Sequence, residues 1–279
     1  MTYEMRAEDE AIFHDRLRKA RRDRLSRNLF LPLLSGLLGL GFWEVAVILF
    51  DFPVYLLPAP TVVVEAMIEK WSFLQSNLIY TVIASITGFT IALVGGVFLG
   101  AAITASAVVD RMAYPWLVIS HAIPKVVVAP LLLVWVGFGI KSGIIFVVVF
   151  TFFPIVVNTV TGLKSSDPDL LQLVRSMGAT PRQALWKIRI PNALPHIFAG
   201  IKISATLAPV GAVIGEFVAS NEGLGYVLIQ AVGNLETPLA FAAVFIISAF
   251  GILIWYLAEM IERLSIPWHA SQRESPGAT

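Results

Sequence analysis

The 279-residue sequence contains no cysteine, which excludes a disulfide framework and any cysteine-ligated metal site. Charge is scarce: Asp, Glu, Lys and Arg make up 14% of the chain, against about 25% in soluble domains. It is also unevenly spread, with no charged residue at all in 71–109, 142–163 and 237–258. No G-x-x-x-x-G-K-[ST] run occurs, nor even a Gly-Lys pair, so the chain has no loop with which to cradle ATP. His14, His121, His196 and His269 are scattered without an H-x-x-x-H pair, and no G-x-S-x-G elbow is present. Neither a zinc hydrolase nor a serine esterase is therefore indicated.

What the chain has in excess is apolar surface. Hydrophobic residues make up 57% and the mean hydropathy is +0.79. A domain of about 300 residues hides only about 75% of its unfolded surface, so a water-soluble monomer is excluded, and so is disorder. A bilayer core of about 30 Å needs ~20 apolar residues in a helix, which the three uncharged stretches supply. Three further spans carry one or two ionisable groups: about 29–50 with Glu44, 112–136 with His121 and Lys125, and 193–220 with Lys202 and Glu216. The expectation is an all-α polytopic membrane protein with six transmembrane helices.

Orientation follows from the basic residues of the short loops. With the N-terminus inside, the internal segments are 1–28, roughly 106–111, 164–192 and 259–279, and they hold 16 of the 20 Lys and Arg residues. Both termini are expected in the cytoplasm. The run from Arg16 to Arg27 precedes an apolar span too long for a signal-peptide core. It reads as an orientation anchor, or as an interfacial helix with Phe13, Leu17 and Ala20 on one face. The domains are then a basic segment 1–28, a membrane domain 29–262, and a tail 263–279.

The long internal segment has its own structure. Asp167-Pro168 gives an N-cap before a proline at the first helical position, and Leu170, Leu171, Val174 and Met177 recur with helical spacing up to Gly178. Thr180 and Gln183 form a capping box for a second short helix through Ala184, Leu185 and Ile188 to Pro191. The product is a knob of two capped helices joined at a glycine. It either covers the protein's own inner surface or docks a soluble partner.

These residues resemble the cytoplasmic-loop signature of binding-protein-dependent ABC importer permeases, E-A-A, three residues, G, nine residues, I-x-L-P. Gly178, Ile188 and Pro191 stand at the signature's spacing, while Gln172, Leu173 and Val174 replace its Glu-Ala-Ala. Leu57-Pro58-Ala59-Pro60, Ile123-Pro124-Lys125, Ala129-Pro130-Leu131, Trp135 to Gly139 and Gly223 to Tyr226 are similar to the nitrate, sulfonate and taurine branch. The resemblance implies a type I importer permease fold with a coupling loop at 164–191, in a bacterial inner membrane. It implies a homodimer, two cytoplasmic ABC ATPases that carry the ATP and magnesium, and an external solute-binding protein. It offers no role for nucleic acid and no cofactor on this chain. The ATPase-coupling residues would be Gln172, Leu173, Arg175, Met177, Gly178, Ala184, Leu185, Ile188 and Pro191. The solute would be a small anion such as a sulfonate, taurine or nitrate; the alternatives are an aromatic carboxylate or a vitamin precursor.

Ionisable residues at membrane depth are costly and face a cavity or a partner. Lys125 therefore either satisfies carbonyls freed by Pro124 and Pro130 or lines the path, where His121 and Glu216 are the other candidates. Glu216 also suits a snorkelling or inter-subunit pair, and Glu44 and Lys202 suit interior pairs or boundary positions. Gly96/Gly100 and Gly211/Gly215 match G-x-x-x-G, which serves close packing within one subunit or between subunits. Two other classes compete. An ion-driven secondary transporter lacks its internal repeat and mid-membrane acidic pair here, and a membrane enzyme lacks a catalytic cluster. The orientation is open to direct test in this cysteine-free background. Single cysteines at Ser26 and Ser271 are expected to resist an impermeant thiol reagent in intact cells, and one at Ser72 to react. Labelling at Ser26 overturns the assignment.

Overall fold

The computed structural model describes residues 30–267; the basic segment 1–28 and the end of the tail lie outside the described residues. Contacts divide the chain into two units, Met1–Glu65 and Ala66–Thr279. The first holds helix α1 (Phe30–Leu49) and the start of α2 (Pro60–Glu69). Glu44 is not free, and among the described residues it is in no ion pair. Its carboxylate accepts from Thr61 N at 3.1 Å and Thr61 Oγ1 at 2.8 Å, so an acid on α1 caps the first turn of α2, whose own Pro60 occupies N1.

The second unit is built on α3 (Trp71–Ala105), α6 (Ile140–Lys164) and α9 (Ile190–Ala219), with α6 packed between the other two. Most of α6 is Val, Ile, Phe and Thr, a composition that favours strands in water. Hydrocarbon reverses that preference, because only a helix satisfies every backbone group within one segment. Two threonines of α6 turn back onto their own helix: Thr151 Oγ1 donates to Val147 O and Thr159 Oγ1 to Ile155 O, each at 2.7 Å. Helix α11 (Thr237–Ser265) closes the bundle beside α9.

Close approach depends on glycine. A Cβ on Gly88 would lie 2.6 Å from Ile144 O, one on Gly96 2.9 Å from Ile155, and one on Gly100 2.7 Å from Thr159. On the other side of α6, Gly211 and Gly215 would meet the backbone of Val147 and Gly143 at 2.9 and 2.7 Å. Both G-x-x-x-G pairs therefore pack helices inside one chain.

The span expected over 112–136 is not one helix. It is α4 (Ala107–Ala122), a 3₁₀ turn at Lys125–Val128, and α5 (Ala129–Val136). Pro124 pushes Ile123 into an extended conformation, φ −77° and ψ 122°, as the residue before a proline prefers. Pro130 then restarts the helix. Five helices among the described residues are long and apolar enough to cross a membrane; the span expected over 112–136 is not among them, because it is broken into these shorter pieces.

A second correction concerns Pro191, which does not end the knob's second helix. Helix α8 (Pro181–Ala184) passes through a π turn at Leu185–Arg189 directly into α9. Pro191 has no N–H to give to a carbonyl. The wider turn, in which Ile190 N–H reaches Leu185 O, carries the helix past it. The whole of 181–219 is one apolar helical stretch.

The packing yields a paired prediction. Gly88→Ala forces α3 from α6 and should cost about 1–3 kcal/mol. Gly143→Ala meets only Ala84 Cβ at 3.5 Å and should be tolerated. Thermal unfolding in detergent separates the two, and equal melting temperatures would contradict this packing.

Candidate functional site

The knob forms as its sequence dictates. Asp167 caps α7 (Pro168–Ser176), its Oδ1 accepting from Asp169 N at 2.8 Å. At the far end Gly178 takes φ +84°. Its N–H reaches Arg175 O at 2.9 Å while Ala179 N–H reaches Val174 O at 3.1 Å. These two bonds are the Schellman ending that favours glycine. The capping box then closes in both directions, Gln183 N to Thr180 Oγ1 at 3.3 Å and Thr180 N to Gln183 Oε1 at 2.8 Å. The base is fastened to the bundle by Asn192, whose amide donates to Ser165 Oγ at 3.1 Å.

The result is a rigid elbow with an apolar tip. Met177 is 77% exposed and Leu173 57%, and Leu185 adds to them at 37%. Gln172 and Arg175 are exposed beside them, and Ile188 and Pro191 are half-buried at the base. Ala184 is buried within the elbow rather than on its face. Sequence periodicity missed Trp186, 63% exposed on the same elbow, because it lies in the π turn, where α-helical spacing does not apply. A large exposed apolar patch of this kind, rimmed by polar residues, marks a docking surface.

Of the three candidates for the path, Lys125 and Glu216 have described side chains and His121 does not; His121 falls on α4 and its side chain lies outside the described residues. Lys125 opens the 3₁₀ turn at the break. Its Nζ sits 5.5 Å from the ring centroid of Phe150 and 5.8 Å from that of Phe153, both on α6. The cation is thus held by ring quadrupoles. Lys202, by contrast, reaches Glu259 at 2.9 Å and Glu262 at 2.7 Å on α11, an interior ion pair between helices.

Glu216 is 1% exposed, and its partners are neither solvent nor a cation. Its Oε2 accepts from Thr81 Oγ1 at 3.0 Å and from Gly225 N at 2.8 Å. Thr81 Oγ1 in turn accepts from Leu224 N at 2.9 Å, and Asn77 Oδ1 from Gly223 N at 2.8 Å. Three successive backbone N–H groups at the start of α10 (Leu224–Gly233) are therefore capped by side chains of α3 and α9. Asn77 and Thr81 escaped the sequence reading because they lie in an uncharged apolar span and their partners are far along the chain. At the same end of the bundle Ala219 O accepts from Gly139 N at 2.7 Å, and Ser142 Oγ donates to Gly137 O.

Long apolar helices around a broken span, with an elbow that leaves an apolar tip exposed, are the architecture of a polytopic membrane protein. The family model for the binding-protein-dependent transport system inner membrane component matches residues 92–266, and the chain belongs to that family. It is 35% identical to the formylaminopyrimidine transport permease protein ThiX of Halalkalibacterium halodurans, over 86% of this chain and 96% of that one. It is 36% identical to the riboflavin transport system permease protein RibX of Chloroflexus aurantiacus, over 87% and 91%. With the taurine transport system permease protein TauC of Escherichia coli the identity is 28%, over 88% and 92%. Among solved structures, an inward-facing MetNI methionine ABC transporter shares the fold at TM-score 0.55 and 24% identity, over 69% of this chain and 94% of that one. The chain is thus the inner-membrane permease of an ABC importer and not an enzyme; ATP is hydrolysed on separate subunits.

Proposed function

We propose that this permease works as a homodimer, with both termini and the 164–191 elbow in the cytoplasm, each elbow docked on one ABC ATPase and a solute-binding protein delivering from outside. The observation that carries the docking assignment is the elbow itself. Its two helices are fixed by a Schellman turn and a closed capping box, yet they leave Leu173, Met177 and Trp186 in solvent. Apolar side chains of this size on a rigid support serve as anchors in a partner's pocket, while exposed Arg175 and Arg182 add little individually. The test is Gly178→Val, since a β-branched residue is strained at φ +84°. The variant should insert normally, with ATP hydrolysis by the assembled complex no longer coupled to uptake. Full uptake in that variant would sink the assignment.

For the solute we favour a small planar heterocycle of the pyrimidine or flavin kind over a sulfonate. The reading is supported by identities of 35% and 36% to permeases named for formylaminopyrimidine and riboflavin, against 28% for the taurine permease. It is supported too by Lys125, whose charge already rests on two aromatic rings and so does not call for an anion as counter-charge. With Phe150 and Phe153 on the path, Lys125 forms a cation–aromatic station suited to a polar ring. Calorimetry on the cognate binding protein should detect a pyrimidine or flavin and not taurine; taurine binding alone would reverse the choice. Lys125→Gln should then slow uptake several-fold without lowering the melting temperature. A fall in stability that accounts for all the lost uptake would make Lys125 structural.

A further inference from the structure

The second place where the fold departs from simple packing is α10. We propose that α10 is a hinged segment latched to the bundle by Asn77, Thr81 and Glu216, and that release of this latch is a step of transport. Four observations carry the proposal.

The first is the way α10 is bounded. Gly223 before it has φ +101° and Leu235 after it φ +59°. Left-handed backbone is disfavoured for a branched residue such as Leu235, so the segment ends on a strained joint, and such joints concentrate where a chain switches.

The second is the fastening. The N-terminal end is held through the three backbone N–H groups received by Asn77, Thr81 and Glu216. A Cβ on Gly223 would lie 2.2 Å from Glu216 Cδ, and one on Gly225 2.8 Å from Glu216 Cβ. The carboxylate and the turn are therefore pressed together with no space between them. Near the opposite end the half-exposed ion pair of Lys70 with Glu236 at 2.7 Å is a weak tether in water, and buried Ala231 packs there.

The third is space. A cleft of about 500 Å³ opens between α3 and α10, with Phe73 and Tyr80 on one wall and Asn221, Tyr226 and Gln230 on the other. On that side α10 has room to move.

The fourth is the cost of the closed state. Glu216 Oε1 is buried and, among the described residues, has no hydrogen-bond partner. A buried acceptor left unmade is expensive, so the latched form is held by one carboxylate oxygen while the other opposes it. A movement that admits water to Oε1 relieves that penalty. The balance suits a latch that holds at rest and yields to a modest push.

The experiment uses the cysteine-free chain in membrane vesicles carrying the assembled transporter. Val227, fully buried on α10, is replaced by cysteine and its reaction with an impermeant maleimide is timed. Glu216→Gln keeps the shape but replaces the carboxyl by an amide, and Thr81→Val keeps the shape but removes the bridging hydroxyl. Each should raise the Val227→Cys labelling rate by roughly tenfold, the scale of one buried hydrogen bond. The double variant should be no faster than the faster single, because both act on one latch. Ala84→Cys, fully buried in the α3–α6–α9 core, should stay protected in every background. An unchanged rate at Val227→Cys in both variants overturns the latch, and so does a parallel rise at Ala84→Cys, which would mean general loosening. The side of the membrane rests on the orientation proposed above, and Ser72→Cys reports it separately. If that control fails to react, the orientation is wrong, and the same comparison in inverted vesicles decides the latch.

Discussion

The constraint on which this structure depends is that no backbone polar group can be left to lipid. Each unsatisfied N–H or carbonyl in hydrocarbon costs several kcal/mol, more than local propensity can offset. The Val- and Phe-rich α6 is helical for that reason, and the same constraint governs every place where a helix ends or breaks. Helix ends expose four donors or four acceptors, and here side chains meet several of them at the N-termini. Glu44 caps α2, Asp167 caps α7, Thr180 and Gln183 cap α8, and Asn77, Thr81 and Glu216 cap α10. The polar residues of an apolar chain are spent largely on its own backbone.

The second consequence concerns stiffness. Glycines at Gly88, Gly96, Gly100, Gly211 and Gly215 let α3 and α9 approach α6 until backbone meets side chain or backbone. Such contacts favour one arrangement and resist sliding. Around this core stand parts fastened by few bonds: the elbow at 164–191, the broken segment at 123–128, and α10. The division resembles a frame with jointed fittings. Motion that couples ATP hydrolysis to solute passage has places to occur without unpacking the frame.

How much of this was legible follows from range. The elbow could be read because its signals are local: Asp167 is two residues from its donor Asp169 N–H, Thr180 three from Gln183, and Gly178 sits at the end of a short amphipathic run. The bilayer spans could be read because length and absence of charge suffice. The π turn before Pro191 could not, since the sequence offers a proline as a stop and only the continuing apolar stretch shows that the helix goes on. The break at 123–128 was signalled by two prolines, but a count based on hydropathy passes over it. Glu216 was visible as an oddity and its role was not. Its partner Thr81 lies 135 residues away, and nothing in either segment alone points to the other.

The interior charges show why oddities of this kind are worth separating. Lys202 is matched by Glu259 and Glu262, and Arg263 joins Glu259 at 3.0 Å, so that group is a closed account of charge holding α9 to α11. Glu216 is matched by N–H and O–H dipoles, and among the described residues no cation pairs with it and one oxygen remains unmet. Lys125 is matched by two rings, and among the described residues no carboxylate lies within ion-pair distance of it. A fully paired network gains nothing from moving. A carboxylate with a spare acceptor and an ammonium with only aromatic faces both have something to gain from water, a solute or a shifted helix. In a membrane bundle those incompletely matched charges, rather than the salt bridges, are where a transport cycle can take hold.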